Sequence, residues 1–299
     1  MRKIVLLGSN GQVGWELQRS LSPLGNVVPC DRSKVDLTDL EALSTYLEHE
    51  RPDVIVNAAA YNAVDLAESF EDEAQKINFD LVKVLAEYAS LNNVWLVHYS
   101  TDYVFDGVAV LPYSEEDVPN PLSAYGRSKA NGEYAVITSG CNYLLLRTSW
   151  IHSSRGSNFA KTILRLAETK DSFSVVDDQT GAPTSASLVA DVTALCLYRI
   201  VNGTSSEDLS GVYHLVASGF ASWYEYACYL VSEAIGLGVK LSCSELDIRA
   251  VSSSEYPTKA IRPKNSRLDN SKIQDVFNIS IPDWKICVKR TLSDIARQG

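Results

Sequence analysis

The sequence predicts an α/β fold built on a doubly wound parallel sheet, and three observations carry that prediction. Short apolar runs alternate with helical patterns through the first half of the chain. A glycine-rich turn, Gly8-Ser9-Asn10-Gly11-Gln12-Val13-Gly14, lies between the first apolar run and the first helical pattern. The polar residues that close the apolar runs fall at one edge, where open parallel sheets bind ligands.

Lys3–Leu7 reads as a buried strand. In the turn that follows, Gly8 permits the tight bend, Gly11 lets a pyrophosphate approach the backbone, and Gly14 lets the next helix lie close to the sheet. Val13, Leu17 and Leu21 form one stripe of that helix, whose N-terminus faces the phosphates. Asn26–Cys30 is the second strand and ends at Asp31-Arg32. An acidic residue there suits the free ribose of NAD, and an arginine beside it suits the 2′-phosphate of NADP, so either cofactor fits. Asp36 precedes Thr38-Asp39-Leu40-Glu41, which reads as a capping box. The helix it starts carries Leu40, Leu43 and Leu47 and stops before Pro52. Asp53–Asn57 is the third strand, and Ala58-Ala59-Ala60 after it leaves room for a ligand. Tyr61-Asn62 opens the next segment, a helical stretch covers Glu71 to Leu91, and the strand Val94–Tyr99 ends at Ser100-Thr101-Asp102. This alternation implies a Rossmann-type sheet with helices on both faces.

Pro119 and Pro121 oppose helix, and a helix begins just beyond them. On it Tyr125 and Lys129 are four apart and share a face. An ammonium 4 Å from a phenolate, at an effective dielectric of 20, is worth roughly 4 kcal/mol. That is about three pKa units, enough to bring a tyrosine from about 10 toward neutrality. So tuned, Tyr125 exchanges a proton with a carbonyl or alcohol oxygen, and Thr101, at the same sheet edge, hydrogen-bonds the same oxygen.

Composition bounds the partners. The chain has 299 residues, 45% apolar and 21% charged, and a net charge of -10, which opposes binding to nucleic acid or an anionic membrane surface. No apolar run approaches the length of a membrane span, and Ile4–Leu7 is too short for a signal peptide. Six cysteines far apart, with no C-x-x-C, read as reduced thiols of a cytoplasmic protein.

Tyr143–Arg147 is a further buried strand, closing on Thr148-Ser149-Trp150. Beyond it helices are expected over Asn158–Glu168, Ala186–Val201, Ser222–Ile235 and Trp284–Ala296, with strands near Phe173–Val176 and Val212–Leu215. Arg262 lies in a basic cluster, Arg262-Pro263-Lys264-Asn265-Ser266-Arg267, suited to gripping a diphosphate by charge-assisted hydrogen bonds. By residue type Trp150 reads as core.

The set G-x-x-G-x-x-G, N-A-A-A, S-T-D and Y-G-x-S-K resembles the extended short-chain dehydrogenase/reductases that act on nucleotide sugars. Val64-Asp65-x-Ala67-Glu68, Ser100–Phe105, Arg147–Trp150, Asp178-Gln179-x-Gly181-x-Pro183-Thr184 and Arg262-Pro263-x-Asn265-Ser266-x-Leu268 resemble more closely the dTDP-4-dehydrorhamnose reductase group. The resemblance runs from end to end. It implies a Rossmann domain over 1–147, to which some later segments return, and a smaller C-terminal α/β substrate domain over 148–299. It implies NADPH- or NADH-dependent reduction of the C4 ketone of dTDP-4-dehydro-β-L-rhamnose to dTDP-β-L-rhamnose, a precursor of bacterial surface polysaccharide. Tyr125, Lys129 and Thr101 would be catalytic, and Thr101, Asp102, Trp150 and Arg262 would meet the substrate. Gly8, Asn10, Gly11, Gln12, Val13, Gly14, Asp31, Arg32, Asp36, Leu37, Ala58, Ala60, Tyr61, Asn62, Tyr99, Tyr125 and Lys129 would hold the cofactor.

Rivals stay open within that resemblance. Dehydratases of this fold need an Asp-Glu pair after the threonine, and Tyr103 stands in the glutamate position. A 4-epimerase or another 4-ketoreductase remains, as does a non-catalytic NADP-binding regulatory subunit. Some relatives are dimers bridged by Mg2+. Here Ser185, Ala186 and Ser187 follow the G-x-P-T motif, with no carboxylate until Asp191, so no metal is expected and a homodimer stays open.

Overall fold

The computed structural model describes residues 1–203 and 209–297. In chain order the first elements are β1 (Lys3–Leu7), α1 (Gln12–Leu21), β2 (Asn26–Cys30), α2 (Leu40–Glu50), β3 (Val54–Asn57), α3 (Val64–Ala67), α4 (Glu71–Gln75), α5 (Leu81–Asn92), β4 (Trp95–Thr101), α6 (Ala124–Thr138) and β5 (Tyr143–Thr148). There follow β6 (Ile151–His152), α7 (Phe159–Thr169), β7 (Phe173–Val176), β8 (Thr180–Gly181), β9 (Thr184–Ser185), α8 (Ala186–Asn202), β10 (Gly211–His214), β11 (Ala221–Ser222), α9 (Trp223–Gly236), β12 (Ile248–Val251), α10 (Ser271–Phe277) and α11 (Trp284–Ala296).

Six strands form one parallel sheet in the order β2-β1-β3-β4-β5-β10. β1 is apolar from Ile4 to Leu7 because both its faces are covered. Ile4 and Leu6 pack with Leu17, Leu21, Val189, Ile273 and Phe277 from α1, α8 and α10. Val5 and Leu7 point the other way and pack with Leu43, Leu47, Leu81 and Leu85 from α2 and α5. The order reverses between β1 and β3, so the crevice for a ligand opens at their carboxyl ends. A further core gathers Ile163, Tyr226, Leu230, Ile248, Trp284, Val288 and Leu292 from α7, α9, β12 and α11. Two later segments return to the main sheet: β10 pairs with β5, and α8 packs with α1.

Most expected elements lie within a residue or two of their observed bounds. The capping box does not form at Thr38. Asp36 takes both the Thr38 amide and its hydroxyl at 2.9 Å, and Asp39 caps α2 instead by accepting from the Ala42 amide. The helix expected over Glu71–Leu91 is continuous but passes through a π-helical turn at Lys76–Asp80. Such turns concentrate at functional sites, and this one carries the buried Asn78.

Candidate active site

The turn after β1 is shaped for close approach. Gly8 has φ +72, and a Cβ there would lie 2.6 Å from the Ala59 amide nitrogen at the end of β3. A Cβ on Gly14 would lie 2.1 Å from the Gly8 carbonyl, which excludes any side chain there. Gly11 caps α1 without a side chain, so its first-turn amides are left to an anion such as a pyrophosphate. Gln12 accepts from Asn158 at 2.8 Å, and Val13 packs into the core. Asp31 accepts from the Ser33 amide at 2.9 Å, from its hydroxyl, and from Asn10 at 2.9 Å. The Ser33 bonds, with Asn10 after them, hold its carboxyl below the usual range. Arg32 is exposed next to it, and Leu37 is half-buried against the α2–α5 core. These groups would fit a dinucleotide, with Gly11–Gly14 holding its pyrophosphate and Asp31 and Arg32 its adenosine ribose.

At the end of β3, Ala58 is half-buried, while Ala60 and Asn62 are exposed. Asn78 fixes this segment. It accepts from the Tyr61 amide at 2.9 Å and donates to the Tyr61 carbonyl at 3.0 Å and to Ser128 at 2.9 Å. Ser128 in turn donates to the Tyr125 carbonyl at 2.8 Å. No local pattern announces this bracket, since an asparagine inside a helical stretch usually faces solvent.

Ser123 caps α6 by accepting from the Gly126 amide, and Glu68 accepts from the Ala124 amide at 2.8 Å. A Cβ on Gly126 would lie 2.2 Å from the Tyr103 carbonyl, so glycine lets α6 press on the turn after β4. Tyr125 and Lys129 are buried on the helix face toward β4. Tyr125 meets the Tyr103 ring edge-on at 5.6 Å.

The expected coupling of Lys129 to Tyr125 is not what the structure shows. Lys129 Nζ donates to the Tyr99 carbonyl at 2.5 Å and lies 3.4 Å from His98 Nε2. Burial lowers Lys129 to about 8, against the pull of the Glu133 charge. Burial raises the Tyr125 phenol to about 12, with the Thr101 hydroxyl opposing and the Asp102 charge assisting. In the chain alone the phenol therefore stays protonated, because desolvation outweighs a cation that is turned to a backbone carbonyl. The Tyr99 side chain also turns away from the site, bonding Thr193 in the core at 2.9 Å. His98 is held neutral by burial, and Ala59 fixes Asn57 so that its amide nitrogen faces His98 Nδ1 at 3.1 Å.

Thr101 ends β4 and donates to Asp102 Oδ1 at 3.0 Å. Asp102 is 3% exposed, and its Oδ2 has no partner. Burial lifts its carboxyl to about 6, against the opposing influence of the nearby Ser266 and Thr101 side chains. Trp150 has φ +48 and stacks on Trp223 at 3.4 Å. A Cβ on Gly181 would meet its indole at 2.5 Å, so Trp223 and Gly181 together pack this tryptophan into the later core.

The basic cluster is already partnered. Arg262 donates to Asp65 at 2.9 Å, Lys264 lies 3.3 Å from Asp178, and Arg267 bonds Asn265 and the Val110 carbonyl. A cleft of about 560 Å³ opens between these cations and Gly107, Val108 and Leu122. Tyr103, edge-on to Tyr125, is close enough to Arg262 for that charge to oppose the rise that burial gives its phenol. Arg147, at the end of β5, makes two bonds to Glu133 of α6, at 2.9 and 2.7 Å, with both side chains buried. After Thr184, Ser185 caps α8, and Asp191 is bound to Arg19 and Ser20.

A dinucleotide turn at the switch point of a parallel sheet, with tyrosine, lysine and threonine beside it, defines an oxidoreductase of the short-chain dehydrogenase/reductase class. Within that class the chain belongs to the RmlD substrate binding domain family, whose model matches residues 1–297. It is 45% identical to dTDP-4-dehydrorhamnose reductase of Escherichia coli (strain K12), across 98% of this chain and 97% of that one. It is 44% identical to the enzyme of the same name from Burkholderia thailandensis, across 99% and 100%. Its fold is similar to the crystal structure of dTDP-4-dehydrorhamnose reductase from Bacillus anthracis in complex with NADP. That comparison has a TM-score of 0.87 and 31% identity, and covers 98% of this chain and 99% of that one.

Proposed function

We propose that the chain reduces the C4 ketone of dTDP-4-dehydro-β-L-rhamnose to dTDP-β-L-rhamnose with NADPH or NADH. The observation that carries this reading is the buried Thr101–Asp102–Tyr125 group, with its phenol protonated, in a chain 45% identical end to end to a reductase of that name. The turn at Gly8–Gly14 and Lys129 would hold a reduced nicotinamide cofactor, which would supply the hydride for the carbonyl carbon. Tyr125 gives its proton to the carbonyl oxygen, and Thr101 hydrogen-bonds and orients that oxygen. Lys129, fixed on the Tyr99 carbonyl, anchors the nicotinamide ribose. The orphaned Asp102 Oδ2 accepts from a sugar hydroxyl, and the half-buried Trp150 lies along the ring. The cleft beside Arg262 takes the diphosphate end.

In this reading residues 1–147 hold the cofactor, and 148–299 shape most of the substrate site. Reduction is favoured over dehydration because Tyr103 occupies the position where elimination needs a glutamate. Among the described residues no helix is long and apolar enough to cross a membrane, and no group of His, Cys, Asp and Glu is arranged to hold a metal ion. The test supplies dTDP-4-dehydro-6-deoxyglucose with a 3,5-epimerase, follows loss of reduced-cofactor absorbance, and identifies the product by NMR. Turnover of a UDP- or GDP-linked ketosugar in its place would overturn the substrate and leave the reaction standing. Tight NADP binding without turnover of any ketosugar would favour a regulatory subunit.

A further inference from the structure

The motif Val64-Asp65-x-Ala67-Glu68 lies outside the reaction as described, yet its two carboxylates reach two different parts of the site. Glu68 accepts from the Ala124 amide, the residue before Tyr125. Asp65 spans to the far side of the chain. Its Oδ1 accepts from the Ala260 amide at 3.1 Å, and its Oδ2 from Arg262 Nη2 at 2.9 Å. One carboxylate thus holds both the backbone and the head group of the Ala260–Arg262 loop.

The geometry of that contact matters. An arginine has five N–H donors and meets a free carboxylate most strongly as a fork. Here the fork does not form: the second Asp65 oxygen accepts from the Ala260 amide. Arg262 therefore gives Asp65 one bond end-on, and its Nε is buried with no partner. The guanidinium lines the cleft of about 560 Å³ together with Lys264 and Arg267. Asp106 also lines that cleft, but its oxygens are occupied by Tyr113, Asn120 and the Val108 amide. Asp65 and Arg262 are 41% and 32% exposed, a setting in which an ion pair adds little to stability. What the pair does is fix a direction.

We propose that Asp65 is a positioning residue for the substrate's diphosphate: it holds Arg262 across the mouth of the cleft so that the unused donors meet a nucleoside diphosphate. This rests on the reading of the cleft given above. A loop pre-set in this way does not have to be ordered by the ligand, and that saving appears as affinity.

The experiment titrates the full-length protein with dTDP by calorimetry and measures steady-state kinetics with the dTDP-ketosugar. Asp65→Ala is expected to weaken dTDP about tenfold and to raise KM similarly, with kcat and NADP binding near wild type. Asp65→Asn, which keeps one acceptor, should recover part of the loss. Asp65→Ala added to Arg262→Ala should cost almost nothing further, since the first acts through the second. Equal or tighter dTDP binding by Asp65→Ala, or losses that add, would overturn the proposal alone. A wild-type protein that turns over ketosugars but does not bind dTDP would overturn the reading of the cleft, and this proposal with it. A loss of NADP binding in parallel with dTDP would mark a folding defect and likewise overturn it.

Discussion

Lys129 lies one helical turn from Tyr125, yet its ammonium bonds the Tyr99 carbonyl at 2.5 Å and leaves the phenol to Thr101 and Asp102. The pair is therefore divided by task. Lys129 is fixed on β4, and Tyr125 keeps a proton that it can give.

Tyr125→Phe should remove that proton and little else. Reduction is expected to slow by at least about 10². Cofactor affinity, followed by fluorescence, should stay near wild type, because the glycine turn and Asp31 are untouched. Near-normal turnover would remove Tyr125 from the reaction.

Cofactor choice should be broad. Asp31 suits a free ribose and Arg32 a phosphate, so kcat/KM with NADH and NADPH is expected to agree within about a hundredfold, roughly 3 kcal/mol. Arg32→Ala should cost NADPH about tenfold more than NADH. Equal losses would show that Arg32 does not read the phosphate.

Asp102 should make stability depend on pH. Its folded pKa is raised to about 6 from 3.8. A carboxyl raised in this way is neutral in both states below the unfolded value. As pH rises through about 6, the fold must bury a charge that the unfolded chain leaves in water. Two pKa units correspond to about 3 kcal/mol. Asp102→Asn should therefore be more stable than wild type near pH 8 by up to about 3 kcal/mol, with the gap closing toward pH 4. Urea melts at the two pH values test this, and a gap of constant size would remove Asp102 as its cause.

Glu133 and Arg147 should behave as a unit. Each is 3% exposed in its side chain, and they share two hydrogen bonds. Glu133→Ala leaves a buried guanidinium without its partner and is expected to cost about 3–5 kcal/mol. Changing both, to Glu133→Leu with Arg147→Met, should cost less than the single change. A double variant worse than the sum of the singles would show that the pair does more than neutralise itself.

Much of this was legible in the sequence because local rules carried it. The glycine turn was readable because Gly8 and Gly14 meet backbone at distances that no side chain survives. The strands were readable because two covered faces demand unbroken apolar runs. The capping of α2 was misplaced by one residue because Asp36 outcompeted the helix for the Thr38 hydroxyl. The role of Asn78 is not legible locally because its partners, Tyr61 and Ser128, lie 17 and 50 residues away. The sequence shows Arg262 as a cation but not its partner, because Asp65 lies 197 residues earlier.

The sequence by itself determined the parallel sheet, the cofactor turn and the residue types of the reacting group. These follow from short-range periodicity, glycine sterics and helix spacing, which hold wherever a segment lies in the fold. Only the tertiary structure decided which charges meet. The turn of Lys129 toward Tyr99, the burial that keeps Tyr125 protonated and lifts Asp102, and the tie from Asp65 to Arg262 depend on desolvation and on contacts between distant segments. Spacing along the chain puts side chains on one face of a helix, but a pKa is set by what packs over that face.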